Sequence, residues 1–197
     1  MLITNRAVAV QPLEKILDEA FASGARLAQL REKNLDAKPL LTLARSLRDV
    51  ASSHDAKLLV NGRLDIALAV DADGLHLPED SLPVQTAKKF FRNLVGRSVH
   101  NVAGALDAER SGADYLVFGH VFETVSKASE PRGLNALEAV CKAVSIPVYA
   151  VGGITPENAR RCLERGAFGV ATMNGVMSAI DARAATVAYL DALRCGR

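Results

Sequence analysis

Ser111-Gly112-Ala113-Asp114-Tyr115 is the stretch on which the fold reading turns, because its pattern recurs along the chain. A small residue or glycine, then alanine, then a short apolar run returns in Ser23-Gly24-Ala25-Arg26-Leu27, Asp71-Ala72-Asp73-Gly74-Leu75 and Arg165-Gly166-Ala167-Phe168-Gly169. Each copy follows apolar residues at helical spacing, such as Ile16, Leu17, Ala20 and Phe21, and leads into a strand-like run. Glycine stops a helix by adopting the left-handed turn. A short, bounded apolar run is the signature of a buried parallel strand.

The alanines stand at 25, 72, 113 and 167, so the intervals are 47, 41 and 54 residues. A βα unit takes roughly 20 to 30 residues, so each interval holds about two and four such pairs make eight. Strands are predicted over 2–4, 26–30, 57–60, 74–77, 94–99, 115–118, 148–151 and 169–172, with Pro12, Pro83 and Pro156 near helix starts. Alternating βα units imply a parallel sheet with right-handed crossovers. Eight of them close into a (β/α)8 TIM barrel, here one α/β domain over 1–197 with no linker dividing it. On pattern alone a flavodoxin-like open sheet is the alternative.

Composition narrows the function. The 197 residues are 49% hydrophobic and 23% charged, as in ordinary globular proteins. With 24 Lys+Arg against 22 Asp+Glu there is no basic footprint for nucleic acid. Aromatics at 5% and no Trp leave no stacking platform for bases. No apolar run reaches a membrane span and no leader-like segment opens the chain, so a cytoplasmic protein is expected. Cys141, Cys162 and Cys195 show neither zinc spacing nor a disulfide framework, and the first two read as buried helix residues.

In such barrels the site lies just beyond the C-terminal strand ends. Polar residues concentrate there: Gln29-Leu30-Arg31-Glu32-Lys33, Asn61-Gly62-Arg63, Arg97-Ser98-Val99-His100, Gly119-His120 and Ser126-Lys127. Gly152-Gly153 closes a strand before Thr155-Pro156-Glu157, which reads as a helix cap. Exposed glycine N–H groups beside a helix N-terminus suit a phosphate, with Asn174-Gly175 supplying donors opposite. Two tight turns without a ligand are the alternative. Arg31 and Lys33 alternate, so both are expected to face the pocket with Gln29 and meet an anion, unless they form a solvated strand exit. His54 reads as surface, and His76 as either a core or a pocket histidine. His100 and His120 sit at strand ends, where a histidine shuttles protons near pH 7 unless it only packs.

These motifs resemble the thiamine phosphate synthase / TenI superfamily over nearly the whole chain. The matching segments are Gln29 to Lys33, Val60-Asn61-Gly62-Arg63-Leu64-Asp65-Ile66-Ala67, Gly74-Leu75-His76-Leu77, Gly96 to His100, Gly112-Ala113-Asp114-Tyr115 and Val151-Gly152-Gly153-Ile154. The resemblance implies a (β/α)8 barrel acting on thiazole phosphates of thiamine biosynthesis. Synthases carry Asn-Asp after strand 3 and Gly-Gln-Glu-Asp after strand 4, and the two aspartates hold Mg²⁺. Here Gly62 replaces the first and Ser81 aligns with the second, although a slip of one residue puts Asp80 there. No metal site and no cofactor are therefore expected.

The TenI branch, with its thiazole tautomerases, is the nearer resemblance through Asn61-Gly62-Arg63 and Gly119 to Thr124. It implies an isomerase that aromatises a carboxythiazole phosphate. His120 would move the proton between two carbons and Arg31 would stabilise the charge that develops. Gln29, Lys33, Asn61, Ser98, His100 and Lys127 would bind the substrate, and Gly152, Gly153, Asn174 and Gly175 its phosphate. A divergent synthase (a transferase) and a non-catalytic regulatory protein on the same barrel are the alternatives. The expected partner is a small thiazole phosphate, with no nucleic acid, no membrane and a possible homo-oligomer.

Overall fold

In the computed structural model, which describes residues 1–124 and 129–194, the recurring alanine marks the end of a helix. The N–H groups of Ala25, Ala72, Ala113 and Ala167 donate to the carbonyls of Ala20, Ala67, Ala108 and Cys162, each five residues back, at 3.0–3.1 Å. That bond closes a helix whose following residue is left-handed, and Gly24, Asp71, Gly112 and Gly166 all have positive φ. The next residue leads into the strand: Asp73, Asp114 and Phe168 donate N–H to carbonyls near the start of the preceding strands, on Leu58, Val95 and Val148. A fifth copy, Asp55-Ala56, ends with Ala56 N–H on the Ala51 carbonyl at 2.9 Å.

Eight parallel strands follow in chain order: β1 (Leu2–Ile3), β2 (Leu27–Leu30), β3 (Lys57–Asn61), β4 (Gly74–Leu77), β5 (Leu94–Val99), β6 (Tyr115–Gly119), β7 (Val148–Val151) and β8 (Gly169–Ala171). Ile3 N–H donates to the Thr172 carbonyl at 2.8 Å and brings β8 back to β1, so the sheet curls into a nearly closed (β/α)8 barrel. Around it run α1 (Leu13–Ala22), α2 (Ala37–Ser53), α3 (Leu64–Ala69), α4 (Val84–Phe90), α5 (Val102–Arg110), α6 (Gly133–Ala143), α7 (Pro156–Leu163), α8 (Asn174–Met177) and α9 (Ala182–Arg194). Pro12 and Pro83 cap α1 and α4, and Pro156 opens α7, where a missing N–H costs nothing.

Strand alternation makes two cores. Leu58, Val60, Leu75, Leu116 and Phe118 face outward against Ile16, Leu17, Leu47 and Leu137 of the helices. Leu59, Tyr115 and Val117 face inward with Tyr149 and Val151. Tyr115 and Tyr149 meet edge-on at 6.0 Å, and Tyr149 and Phe168 at 5.5 Å, so aromatic rings floor the barrel at the N-terminal strand ends. Polar side chains are left at the other end. Cys162 is buried, Cys141 is half-buried, and burial pushes both thiols up to about 11; Cys195 lies outside the described residues. Among the described residues no helix is long and apolar enough to cross a membrane.

Candidate active site at the barrel mouth

Above the apolar interior, the last inward positions of β2 to β5 are Gln29, Asn61, His76 and Ser98. Gln29 is 2% exposed and donates from Nε2 to Asn61 Oδ1 at 2.9 Å. Its own Oε1 is buried without a partner among the described residues. The bond identifies Oδ1 as the acceptor and leaves the Asn61 NH₂ group to donate elsewhere. Arg31 follows β2 and its N–H donates to Thr4 Oγ1 at 2.9 Å. This side-chain bond ends β1 at Ile3, one residue earlier than predicted.

His76, left open by the sequence, lies inside the barrel. Its Nε2 is 2.8 Å from Ser98 Oγ and its Nδ1 3.2 Å from the Tyr115 hydroxyl. Burial first, then the nearby Arg97 and Arg31 guanidiniums, lowers its pKa to about 3. The imidazole is neutral at pH 7. Arg97 itself grips the loop after β4, donating to the Leu82 carbonyl at 2.8 Å and the Glu79 carbonyl at 2.5 Å.

The other expected residues divide. Lys33 is exposed in a turn; β2 stops at Leu30, so the alternation that would place Lys33 beside Gln29 does not continue. His100 reaches the mouth but donates from Nδ1 to the Gly119 carbonyl at 2.5 Å and faces Glu79 at 3.4 Å. His120 is 7% exposed and donates from Nε2 to the Ser129 carbonyl at 2.9 Å. His54 is not a bare surface group: its Nε2 lies 2.7 Å from Asp18 Oδ1 and ties α1 to the end of α2. Lys127 lies outside the described residues.

The glycine pair after β7 carries the loop after β6 on its back. A Cβ on Gly152 would stand 2.1 Å from His120 Cβ, and one on Gly153 would stand 2.2 Å from the Glu123 carbonyl oxygen. Both residues also have positive φ, +95° and +64°. Phe122 N–H donates to the Gly152 carbonyl, and Asn158 Nδ2 to the Gly153 carbonyl. These bonds leave the N–H groups as the pair's remaining polar atoms. Tyr189 of α9, which sequence reasoning missed, joins this loop to the next. Its hydroxyl donates to the Ile154 carbonyl at 2.8 Å, accepts from Thr172 at 3.2 Å, and fills the space beside Gly175. Asn174 opens α8 with Oδ1 buried and unpaired among the described residues. The only signal for Tyr189 was its place on the apolar face of the last helix.

A cavity of about 350 Å³ lies at the opposite end of the barrel, lined by Lys57, Asp73, Lys88, Asn93 and Asp114 among others. Two of its three cations are paired, Lys88 on Asp114 at 2.6 Å and Lys57 near Asp73 at 3.7 Å, and Arg92 is the third. Each aspartate also takes a strand N–H, of Leu58 or Val95, so this end is scaffold.

The mouth offers a poor donor set for Mg²⁺. Gly62 has no side chain, Ser81 Oγ is turned to the Pro78 carbonyl at 2.6 Å, and Asp80 is exposed. Among the described residues no three His, Cys, Asp or Glu side chains gather as a metal site.

Comparison with known proteins supplies the remaining finding. The family described as thiamine monophosphate synthase matches residues 1–176. "Thiamine-phosphate synthase 2" of Streptococcus pneumoniae serotype 4 is 39% identical over 196 residues, covering 98% of this chain and 93% of that protein. A "putative thiamine-phosphate synthase" of Geobacter sulfurreducens is 43% identical over 187 residues, covering 92% and 88%. The solved thiamine phosphate pyrophosphorylase from Pyrococcus furiosus superposes with a TM-score of 0.91 at 38% identity, covering 98% of this chain and 93% of that one. These names correct the expectation of an isomerase. The relatives are synthases, hence transferases, and nothing in the comparisons is specific to tautomerases. That expectation rested on Gly62 and Ser81, which break the synthase pattern, and on the TenI-like segments Asn61-Gly62-Arg63 and Gly119 to Thr124, which do not outweigh a match to synthases over nearly the whole chain.

Proposed function

Since the chain belongs to the thiamine monophosphate synthase family, we propose that it is a transferase of thiamine-phosphate synthesis, joining a pyrimidine diphosphate to a thiazole phosphate. The thiazole nitrogen attacks the methylene carbon of the pyrimidine, the C–N bond forms as the C–O bond breaks, and pyrophosphate leaves with the electron pair. The observation that carries this reading is the fit to the Pyrococcus furiosus pyrophosphorylase over nearly the whole chain.

The mouth chemistry agrees with it. Alkylating a ring nitrogen transfers no proton, so the reaction needs no free general base. His76 is neutral and buried, and His100 and His120 are each oriented by one ring N–H on a carbonyl, so the histidines can stand as neutral walls of the mouth. What the reaction does need is positive charge and N–H donors for the phosphate oxygens. Arg31 brings the charge at the end of β2, and the Gly152-Gly153 and Asn174-Gly175 loops bring donors. The donor set does not fit Mg²⁺, so this reading routes no step through a metal.

Purified protein given both substrates should release pyrophosphate and form thiamine phosphate. No product, with or without Mg²⁺, overturns the transferase reading. Turnover should also survive EDTA; a rate that collapses there and returns with Mg²⁺ would refute the metal-free part alone.

A further inference from the structure

The hydrogen-bonded chain inside the barrel has a direction. A neutral imidazole carries one N–H and one lone-pair nitrogen, and its partners decide which is which. Tyr115 is 5% exposed, and among the described residues its hydroxyl has one hydrogen-bond partner, His76 Nδ1. If Nδ1 carried the proton, the phenol hydrogen would be buried without an acceptor, which folded proteins avoid. The phenol therefore donates to Nδ1, and the imidazole hydrogen sits on Nε2. It is given to Ser98 Oγ at 2.8 Å. With a lone pair of its oxygen so engaged, Ser98 is left to point its own hydrogen into the mouth.

The arrangement is built for this. Tyr115 reaches His76 only because Gly96 stands beneath its ring; a Cβ there would lie 2.0 Å from Tyr115 Cζ. Burial, then Tyr149 and Asp114, pushes the phenol's pKa upward, so it keeps its hydrogen. The imidazole is held neutral by burial and by Arg97 and Arg31.

We propose that Tyr115 is a positioning residue: it sets the tautomer of His76 and thereby fixes the Ser98 hydroxyl as a donor to an anionic phosphate oxygen of the substrate. The identity of that substrate rests on the transferase reading; the tautomer and the direction of the chain do not.

The test is nitrogen-15 NMR of the His76 ring together with calorimetric binding of inorganic pyrophosphate and inorganic phosphate. Wild-type protein should show His76 protonated on Nε2. Tyr115→Phe should lose that preference and, like Ser98→Ala, weaken anion binding about tenfold or more, the worth of one hydrogen bond to a charged group. The double variant should bind no worse than Ser98→Ala alone, since Tyr115 acts through Ser98. Losses confined to pyrophosphate place Ser98 at the leaving group, and losses confined to phosphate place it at the thiazole ester. An Nδ1-protonated ring, unchanged affinity in either single variant, or additive losses in the double variant overturns the proposal. If Tyr115→Phe does not fold, the wild-type tautomer and the Ser98→Ala affinity decide. None of these readouts needs turnover, so they remain interpretable if no transferase activity is found.

Discussion

Gly153 shows how one residue can answer to two demands at once. Two glycines at a strand end suggest a ligand's close approach, and a side chain there would be expected to obstruct a phosphate more than the fold. In the structure the nearer obstacle is the chain itself, the Glu123 carbonyl 2.2 Å from the position of a Cβ. Gly153→Ala should therefore destabilise by about 2–4 kcal/mol, from overpacking and left-handed backbone together. Thermal unfolding measures this, and a melting temperature equal to wild type would show that the loop gives way. His76 makes a second prediction at this scale. Its pKa is about 3 in the fold against 6.5 for the free side chain, so below 6.5 the unfolded chain binds a proton that the folded chain refuses. The stability from neutral His76 is complete above pH 6.5 and falls as the pH drops toward 3, by at most about 1.4 kcal/mol per unit. Urea unfolding at pH 7 and pH 5 should show a smaller acid loss in His76→Gln than in wild type. Equal losses would mean that other groups carry the acid sensitivity.

The helix stop is the element that repeats. Five helix ends share one bond, alanine N–H to the carbonyl five residues back, and one left-handed residue before the alanine. At Gly112 nothing lies within 4 Å of the place a Cβ would take, so only φ of +88° opposes a side chain. Gly112→Ala should cost about 1–2 kcal/mol, and Gly112→Asn less, because asparagine tolerates this region. Denaturant midpoints of the two variants check the order, and equal midpoints would mean φ is not the constraint. Asp55 and Asp71 hold the same place with φ of +50° and +47°. The fifth stop, Asp55-Ala56, went unread although it carries the same pair as Asp71-Ala72; what differs is the glycine that follows two residues on in Asp71-Ala72-Asp73-Gly74 and is missing here.

At the scale of the whole molecule, the barrel is tied shut beside the loops that follow β7 and β8. Tyr189 links the last helix to the loop after β7 through the Ile154 carbonyl, and to the end of β8 through Thr172. Removing its hydroxyl in Tyr189→Phe leaves a buried carbonyl unpaired, at a cost of about 1–3 kcal/mol. Because both loops lean on this ring, affinity for pyrophosphate should fall several-fold as well. Calorimetry on the folded variant decides: a stability loss with unchanged affinity would detach Tyr189 from the binding site.

Local sequence determined the units. Helix stops, proline at helix starts and short apolar runs are set within about ten residues, so all eight strands were legible to within a residue at either end. The mouth was legible as a set of residues, since Gln29, Asn61, Ser98 and the two glycine-bearing loops lie at strand ends whatever their partners. Tertiary structure alone decided what those residues do. The bonds from His76 to Tyr115 across 39 residues and from Tyr189 to Ile154 across 35 join separate elements. A histidine's role depends on which carbonyl or hydroxyl faces each ring nitrogen, and that is settled only when distant strands and loops are brought into contact.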